Sequence, residues 1–207
     1  MKKGYFITFE GGEGSGKTTQ IELLKDYFIK KNKKVKILRE PGGTEISEKI
    51  RGILLDKKYK GVINSKTELF LYMASRTQLY YEKILDLIEN FDIILCDRFF
   101  DATLAYQGYA RNLGIEKLYE LNKWALDGFE PDLTIFFDLN IDLGLKREKS
   151  KDRFNLEGKS FHEKVAEGYR IINRKFPDRI KKIDVNNKSI ETVFDILKNI
   201  IKEKFYG

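Results

Sequence analysis

Gly11-x-x-x-x-Gly16-Lys17-Thr18 carries the densest chemistry in this chain. Glycines at this spacing let the backbone turn tightly and present successive N–H groups to phosphate oxygens. Lys17 supplies a mobile positive charge for β- and γ-phosphates, and Thr18 offers a hydroxyl to Mg²⁺. Gly12, Glu13, Gly14, Ser15 and Thr19 complete the loop and the helix start, whose positive end adds to an anion site. The pattern predicts binding of a nucleoside triphosphate. A second acid is then required, and Asp97 meets the need at the end of a hydrophobic run, with Arg98 beside it. Arg39-Glu40-Pro41-Gly42-Gly43 is a tight turn led by an arginine, and Arg51 lies two helical turns past Thr44. Guanidinium forks suit phosphate oxygens, although each arginine alone is equally readable as a solvated side chain. Tyr72 and Arg76 are four apart and share a helix face, suited either to packing or to stacking on a nucleobase and bonding its edge. Thr103, Tyr106 and Gln107 add hydroxyls and an amide. His162 has no nucleophile–base partners around it and reads as structural.

The elements that must position these groups alternate. Apolar strand-like runs fall at 5–9, 35–38, 93–96, 133–139 and 180–185, and helical periodicity at 17–31, 45–55, 66–89, 115–127, 160–175 and 189–204. That order predicts an α/β fold with a five-stranded parallel sheet covered on both faces, in one domain over 1–207. Ser65-x-x-Glu68 reads as a capping box for the third helix, and Ser189 as the start of the last. Residues 146–160 are charged and lack a steady apolar period, the signature of a short lid over phosphates. The chain carries a net charge of +7, but its lysines are scattered rather than gathered in a basic block with aromatics, which argues for anionic small molecules and against nucleic acid. One cysteine, Cys96, excludes an internal disulfide. No secretory or membrane-spanning apolar run is present, so the expected setting is the cytoplasm, away from membranes.

Phe9-Glu-Gly-Gly-Glu-Gly-Ser-Gly-Lys-Thr-Thr19, Arg39-Glu-Pro-Gly-Gly-Thr44, Cys96-Asp-Arg-Phe99 and Ala105-Tyr-Gln-Gly108, in this order and spacing, resemble the thymidylate kinases, and the match runs on to Phe161–Tyr169. The resemblance implies the P-loop nucleoside monophosphate kinase fold, ATP as co-substrate, Mg²⁺ as cofactor, dTMP as acceptor and a homodimer built through helices. It places Tyr72, where the family usually has Phe, against thymine. Arg76, Gln107 and Thr103 line the base pocket, Glu13 faces the sugar 3′-hydroxyl, and Arg39, Pro41, Arg51 and Arg98 surround the acceptor phosphate. Asp97 is implied to meet Mg²⁺, directly or through water. The family divides by whether its catalytic arginine lies in the P-loop or in the lid. With Gly at position 14, this chain resembles the lid group, and Arg153 is the first choice among Lys149, Lys151 and Arg153. Alternatives are a P-loop kinase for another nucleoside monophosphate or a deoxynucleoside, and a nucleotide-dependent switch.

Overall fold

Strand β1 (Tyr5–Gly11) is buried on both faces from Phe6 onward, and this central position follows from its composition. Phe6, Thr8 and Glu10 point to one side, Ile7 and Phe9 to the other. In the computed structural model, which describes residues 4–147 and 152–206, β1 pairs in parallel with both β3 (Ile93–Asp97) and β4 (Leu133–Asp138). Outer strands β2 (Val35–Arg39) and β5 (Ile180–Asp184) complete an all-parallel sheet of order β2-β3-β1-β4-β5. The five strands and their parallel pairing match the expectation from sequence. Because β1 hands the chain outward to β2 while β4 lies on its other side, a crevice opens at the carboxyl ends of the strands. The P-loop, Arg39 and the Asp97–Arg98 pair all leave strands there.

Two helical layers cover the sheet. Helices α1 (Lys17–Ile29) and α9 (Ile190–Tyr206) lay Ile21, Leu24, Phe28, Leu197 and Ile201 on Ile7, Phe9, Ile135 and Phe137. Phe28 is fully buried, worth about 1.5–3 kcal/mol of hydrophobic transfer. Ser189 opens α9 as predicted, its Oγ accepting from Thr192 N at 3.2 Å. On the other face lie α2 (Glu45–Leu55), α3 (Ser65–Leu79), α4 (Leu85–Asn90), α5 (Phe100–Thr103), α6 (Ile115–Ala125) and α8 (Lys159–Lys175), while α7 (Ile141–Arg147) follows β4 and packs Leu143 against the α1–α9 cluster. A π-helical turn, Tyr80–Ile84, joins α3 to α4, and a second, Leu104–Ala110, extends α5.

Three details depart from the sequence reading. The cap of α3 is Asn64, whose side chain accepts from Lys66 N at 2.9 Å, and Glu68 is buried instead of closing a capping box. Residues 100–110 and 141–147 are helical although neither carries a long apolar period. The first packs closely on α8: a Cβ on Gly168 would meet Tyr109 Cβ at 3.0 Å and Ala105 Cα at 3.1 Å, an approach that a side chain there would crowd. Of the expected lid, Lys149 and Lys151 lie outside the described residues.

Candidate functional site

The P-loop leaves β1 at Gly11 and enters α1 at Lys17. Gly14 has φ +65° and Gly16 φ +88°, backbone that side-chain-bearing residues rarely adopt. At Gly14 space is also denied, since a Cβ would lie 2.6 Å from the Gly144 carbonyl oxygen of α7. Lys17 folds back over the loop, donating from Nζ to the Gly11 and Gly12 carbonyls at 3.1 and 2.9 Å. Burial, and next the neighbouring Arg98 charge, push its pKa down. Thr18 Oγ1 donates to Asp97 Oδ2 at 3.4 Å, which puts a hydroxyl and a carboxylate, both hard oxygen donors suited to Mg²⁺, at the head of the helix.

Arg98 is held from several sides in the crevice. Its φ of +67° places a non-glycine residue in left-handed backbone, a cost of order 1–3 kcal/mol that surrounding contacts must offset. Those contacts are present. Nη2 donates to Glu13 Oε1 at 2.6 Å, while Nη1 donates to Gly11 O at 3.0 Å and Tyr169 Oη at 3.2 Å. Burial works against the Glu13 charge, but Arg98 and then Lys17 outweigh it and hold the carboxyl below its ordinary range. Beneath them Glu10 accepts from Phe99 N and Tyr169 Oη, both at 2.7 Å. Burial, reinforced by Asp101, raises the Glu10 pKa to about 8.

Across the crevice, two more arginines converge on one oxygen. Arg39 Nη1 and Arg51 Nη1 donate to Pro41 O at 2.9 and 2.8 Å. Glu48 pairs with Arg39 through both carboxylate oxygens at 2.9 Å. Arg51 is pushed below the usual arginine range by burial and then by Arg39. Two like charges held this close make a receptor for an anion. Deeper in, Arg76 is 1% exposed and gives Nε to Glu40 at 2.7 Å, Nη1 to Asn122 at 2.9 Å and Nη2 to Phe99 O at 3.3 Å. Thr103 is buried, with Oγ1 lacking a hydrogen-bond partner.

These groups share one cavity of about 540 Å³. Of the residues expected from sequence, Glu13–Thr19, Arg39, Pro41, Arg51, Tyr72, Arg76, Asp97, Arg98, Thr103 and Gln107 line it. Gly11 and Gly12 sit behind as acceptors for Lys17. Arg153, expected at the phosphates, is elsewhere. It is 2% exposed, outside the cavity lining, with Nη1 on Glu68 Oε2 at 2.7 Å and Nε on Leu54 O at 2.8 Å. A buried guanidinium needs anionic and carbonyl partners, and α2 and α3 supply them. Sequence reasoning missed Arg147, at the end of α7, which lines the cavity next to Gly14. It also missed Phe154, whose ring lies 6.1 Å from Tyr72 and 5.8 Å from Tyr106 and closes the pocket from the lid side. The aromatic at 154 inside a charged stretch was the available signal.

Comparison with known proteins agrees with the geometry. The family model described as thymidylate kinase matches residues 9–196. Among curated relatives, the thymidylate kinase of Clostridium novyi (strain NT) is 44% identical, covering 98% of this chain and 100% of that protein. That of Geobacillus thermodenitrificans (strain NG80-2) is 43% identical over 92% of this chain and 86% of the relative. The crystal structure of thymidylate kinase from Ehrlichia chaffeensis superposes with a TM-score of 0.77 at 30% identity, covering 96% of this chain and 98% of that one. A full-length match in sequence and fold, on a cavity with a triphosphate grip at one side and paired arginines at the other, places this chain in the thymidylate kinase family.

Proposed function

We propose that the chain transfers the γ-phosphoryl group of ATP to dTMP, giving ADP and dTDP, across the cavity described above. The observation that carries the reading is the pairing of a P-loop with a separate arginine corner in one cavity. A hydrolytic switch has no use for a second phosphate receptor.

The donor phosphates rest on the loop N–H groups from Gly14 to Thr19, with Lys17 exchanging its loop carbonyls for phosphate oxygens. The acceptor phosphate sits among Arg39, Arg51 and Arg98, and the thymine ring lies between Tyr72 and the Thr103–Gln107 face. Thr103 Oγ1, buried without a partner, supports a ligand atom there. Glu13 is held beside Arg98, a position suited to receiving a sugar hydroxyl. The acceptor is already an ionised phosphate, so no general base is required. Catalysis reduces to alignment and to stabilising spreading negative charge, the tasks of Lys17 and Arg98. Arg147 adds positive charge beside Gly14, which itself brings no arginine to the loop, and Arg153 anchors the lid rather than touching phosphate. Thr18 and Asp97 would hold Mg²⁺, which when bound neutralises charge on the donor phosphate oxygens.

No helix among the described residues is long and apolar enough to cross a membrane, and Cys96 is a free, buried thiol. Both suit the cytoplasm, which cell fractionation would check. We assign a homodimer as well. Of the α3 residues, Leu69, Met73 and Leu79 are core, as is Tyr80 just beyond it, whereas Phe70 of α3 at 61% and Trp124 of α6 at 79% exposure leave apolar surface for a second copy. Sedimentation reads this directly. The activity is tested by coupled ADP release with and without dTMP. ADP must appear in step with dTMP consumed, and release indifferent to dTMP would overturn the assignment.

A further inference from the structure

We propose that Glu68 is a positioning residue that sets base selectivity, by fixing which end of the Gln107 amide faces the acceptor base. The inference rests on the reading that the base docks between Tyr72 and Gln107. Glu68 lies on α3 one turn before Tyr72 and two before Arg76, yet it is 1% exposed and does not line the cavity. Its Oε1 accepts from Gln107 Nε2 at 2.7 Å, and its Oε2 accepts from Arg153 Nη1 at 2.7 Å. Arg111 approaches the same carboxylate with Nε and Nη2 at 3.4 Å. A carboxylate engaged by two guanidinium groups only accepts hydrogen bonds. Gln107 must therefore meet it with its NH₂. Turning the amide over would bring two acceptor oxygens together in a buried site, at the cost of an unmet pair of polar groups.

Glu68 takes one of the two Nε2 protons and fixes the orientation of the amide, which holds the carbonyl Oε1 as an acceptor for a ligand in the cavity that Gln107 lines. An acceptor there suits a pyrimidine with a proton on N3. Thymine carries N3–H and the acceptor O4, whereas cytosine has a bare N3 and a 4-amino group. Arg76 selects the same way, since its guanidinium only donates. Nε, one Nη1 proton and one Nη2 proton are taken by Glu40, Asn122 and Phe99 O, and a remaining N–H suits O4 and not an amino group. Glu68 thus makes Gln107 a fixed acceptor rather than an amide that adapts to either base. A site whose buried polar groups would be left unpaired rejects the wrong ligand far better than a pocket of the right shape alone.

The test compares dTMP with 5-methyl-dCMP, which share the methyl group and sugar and differ only at N3 and position 4. In Glu68→Gln the side chain at 68 donates or accepts, and Gln107 is free to turn. The expected result is a fall of about tenfold or more in the kcat/KM ratio of dTMP over 5-methyl-dCMP, with residual selectivity from Arg76. A merely structural role would lower both substrates together, so an unchanged ratio overturns the proposal. Should Glu68→Gln not fold, the Glu68→Met/Arg153→Met double variant removes the buried pair as a unit, a change that folds tolerate better than breaking it, and the same drop is expected. In a Gln107→Met background Glu68→Gln should lower the ratio no further; an additional tenfold loss would show that Glu68 does not act through Gln107. Wild-type protein inactive on dTMP would overturn the functional reading itself. Active wild type with an unaltered ratio in the variants would overturn only the role of Glu68.

Discussion

Arg153→Met separates two roles that the sequence alone merges. At the phosphates, this arginine would be a catalytic charge whose loss lowers turnover by about 10²–10³ while stability stays put. In the structure it is 2% exposed, paired to Glu68 at 2.7 Å and tied to Leu54 O at 2.8 Å, while its own N–H donates to Leu55 O at 3.1 Å. Removing one partner of a buried ion pair costs about 3–5 kcal/mol. Glu68 keeps Gln107 and Arg111 as donors, which places the expected loss at the lower end, about 3 kcal/mol. For a chain of this size that lowers Tm by about 6–12 °C. Phe154, which follows Arg153 and lines the cavity beside Tyr72, should loosen, so on the proposed base site KM for dTMP rises while kcat stays within about threefold below the new Tm. Chemical denaturation and steady-state kinetics at 20 °C read both quantities. Arg147→Ala is the counterpart: an exposed side chain whose removal leaves stability within about 0.5 kcal/mol but lowers kcat by about 10². Arg153→Met with unaltered stability and a hundredfold loss of kcat would refute the anchor role.

Two further outcomes follow from the site. Folding raises the Glu10 pKa from 4.5 to about 8, chiefly through burial, so the stability that its neutral form contributes is complete below pH 4.5, erodes as pH rises, and is gone above about 8. Glu10→Gln cannot ionise. Its unfolding free energy relative to wild type should therefore gain about 2 kcal/mol between pH 6 and pH 8, and a pH-independent difference would contradict the burial account. Tyr72→Ala removes a ring that lines the cavity and packs on Phe154, so it should raise KM for dTMP by at least about tenfold with a smaller effect on kcat. An unaltered KM would place the base elsewhere.

The sheet was legible because a parallel strand buried on both faces writes itself as a short apolar run, and all five runs became strands. The P-loop, Asp97–Arg98 and the Arg39 turn were legible for a related reason. Each directly follows a strand, so its position in the crevice comes with the strand. Residues 100–110 were harder. Their helix packs closely on α8 at Gly168, a contact more than 50 positions away that no local period encodes. Glu68 illustrates the same limit in a charge. Its spacing from Ser65 fits a capping box, but a partner 85 residues along the chain draws it inward, and Asn64 takes the cap.

Gly14 shows how the loop and α7 constrain each other. Its φ of +65° disfavours a side chain, and a Cβ there would press on the Gly144 oxygen at 2.6 Å and Arg147 Cβ at 3.0 Å. An arginine in the loop would therefore have to displace α7, the element that leads into the lid. Conversely, bare backbone at 14 lets α7 approach and carries Arg147 to the cavity edge. An arginine at position 14 and this close packing of α7 exclude each other sterically. Which lid arginine remains available is then decided by burial: Glu68 and Leu54 engage Arg153, and Arg147 is the arginine that lines the cavity.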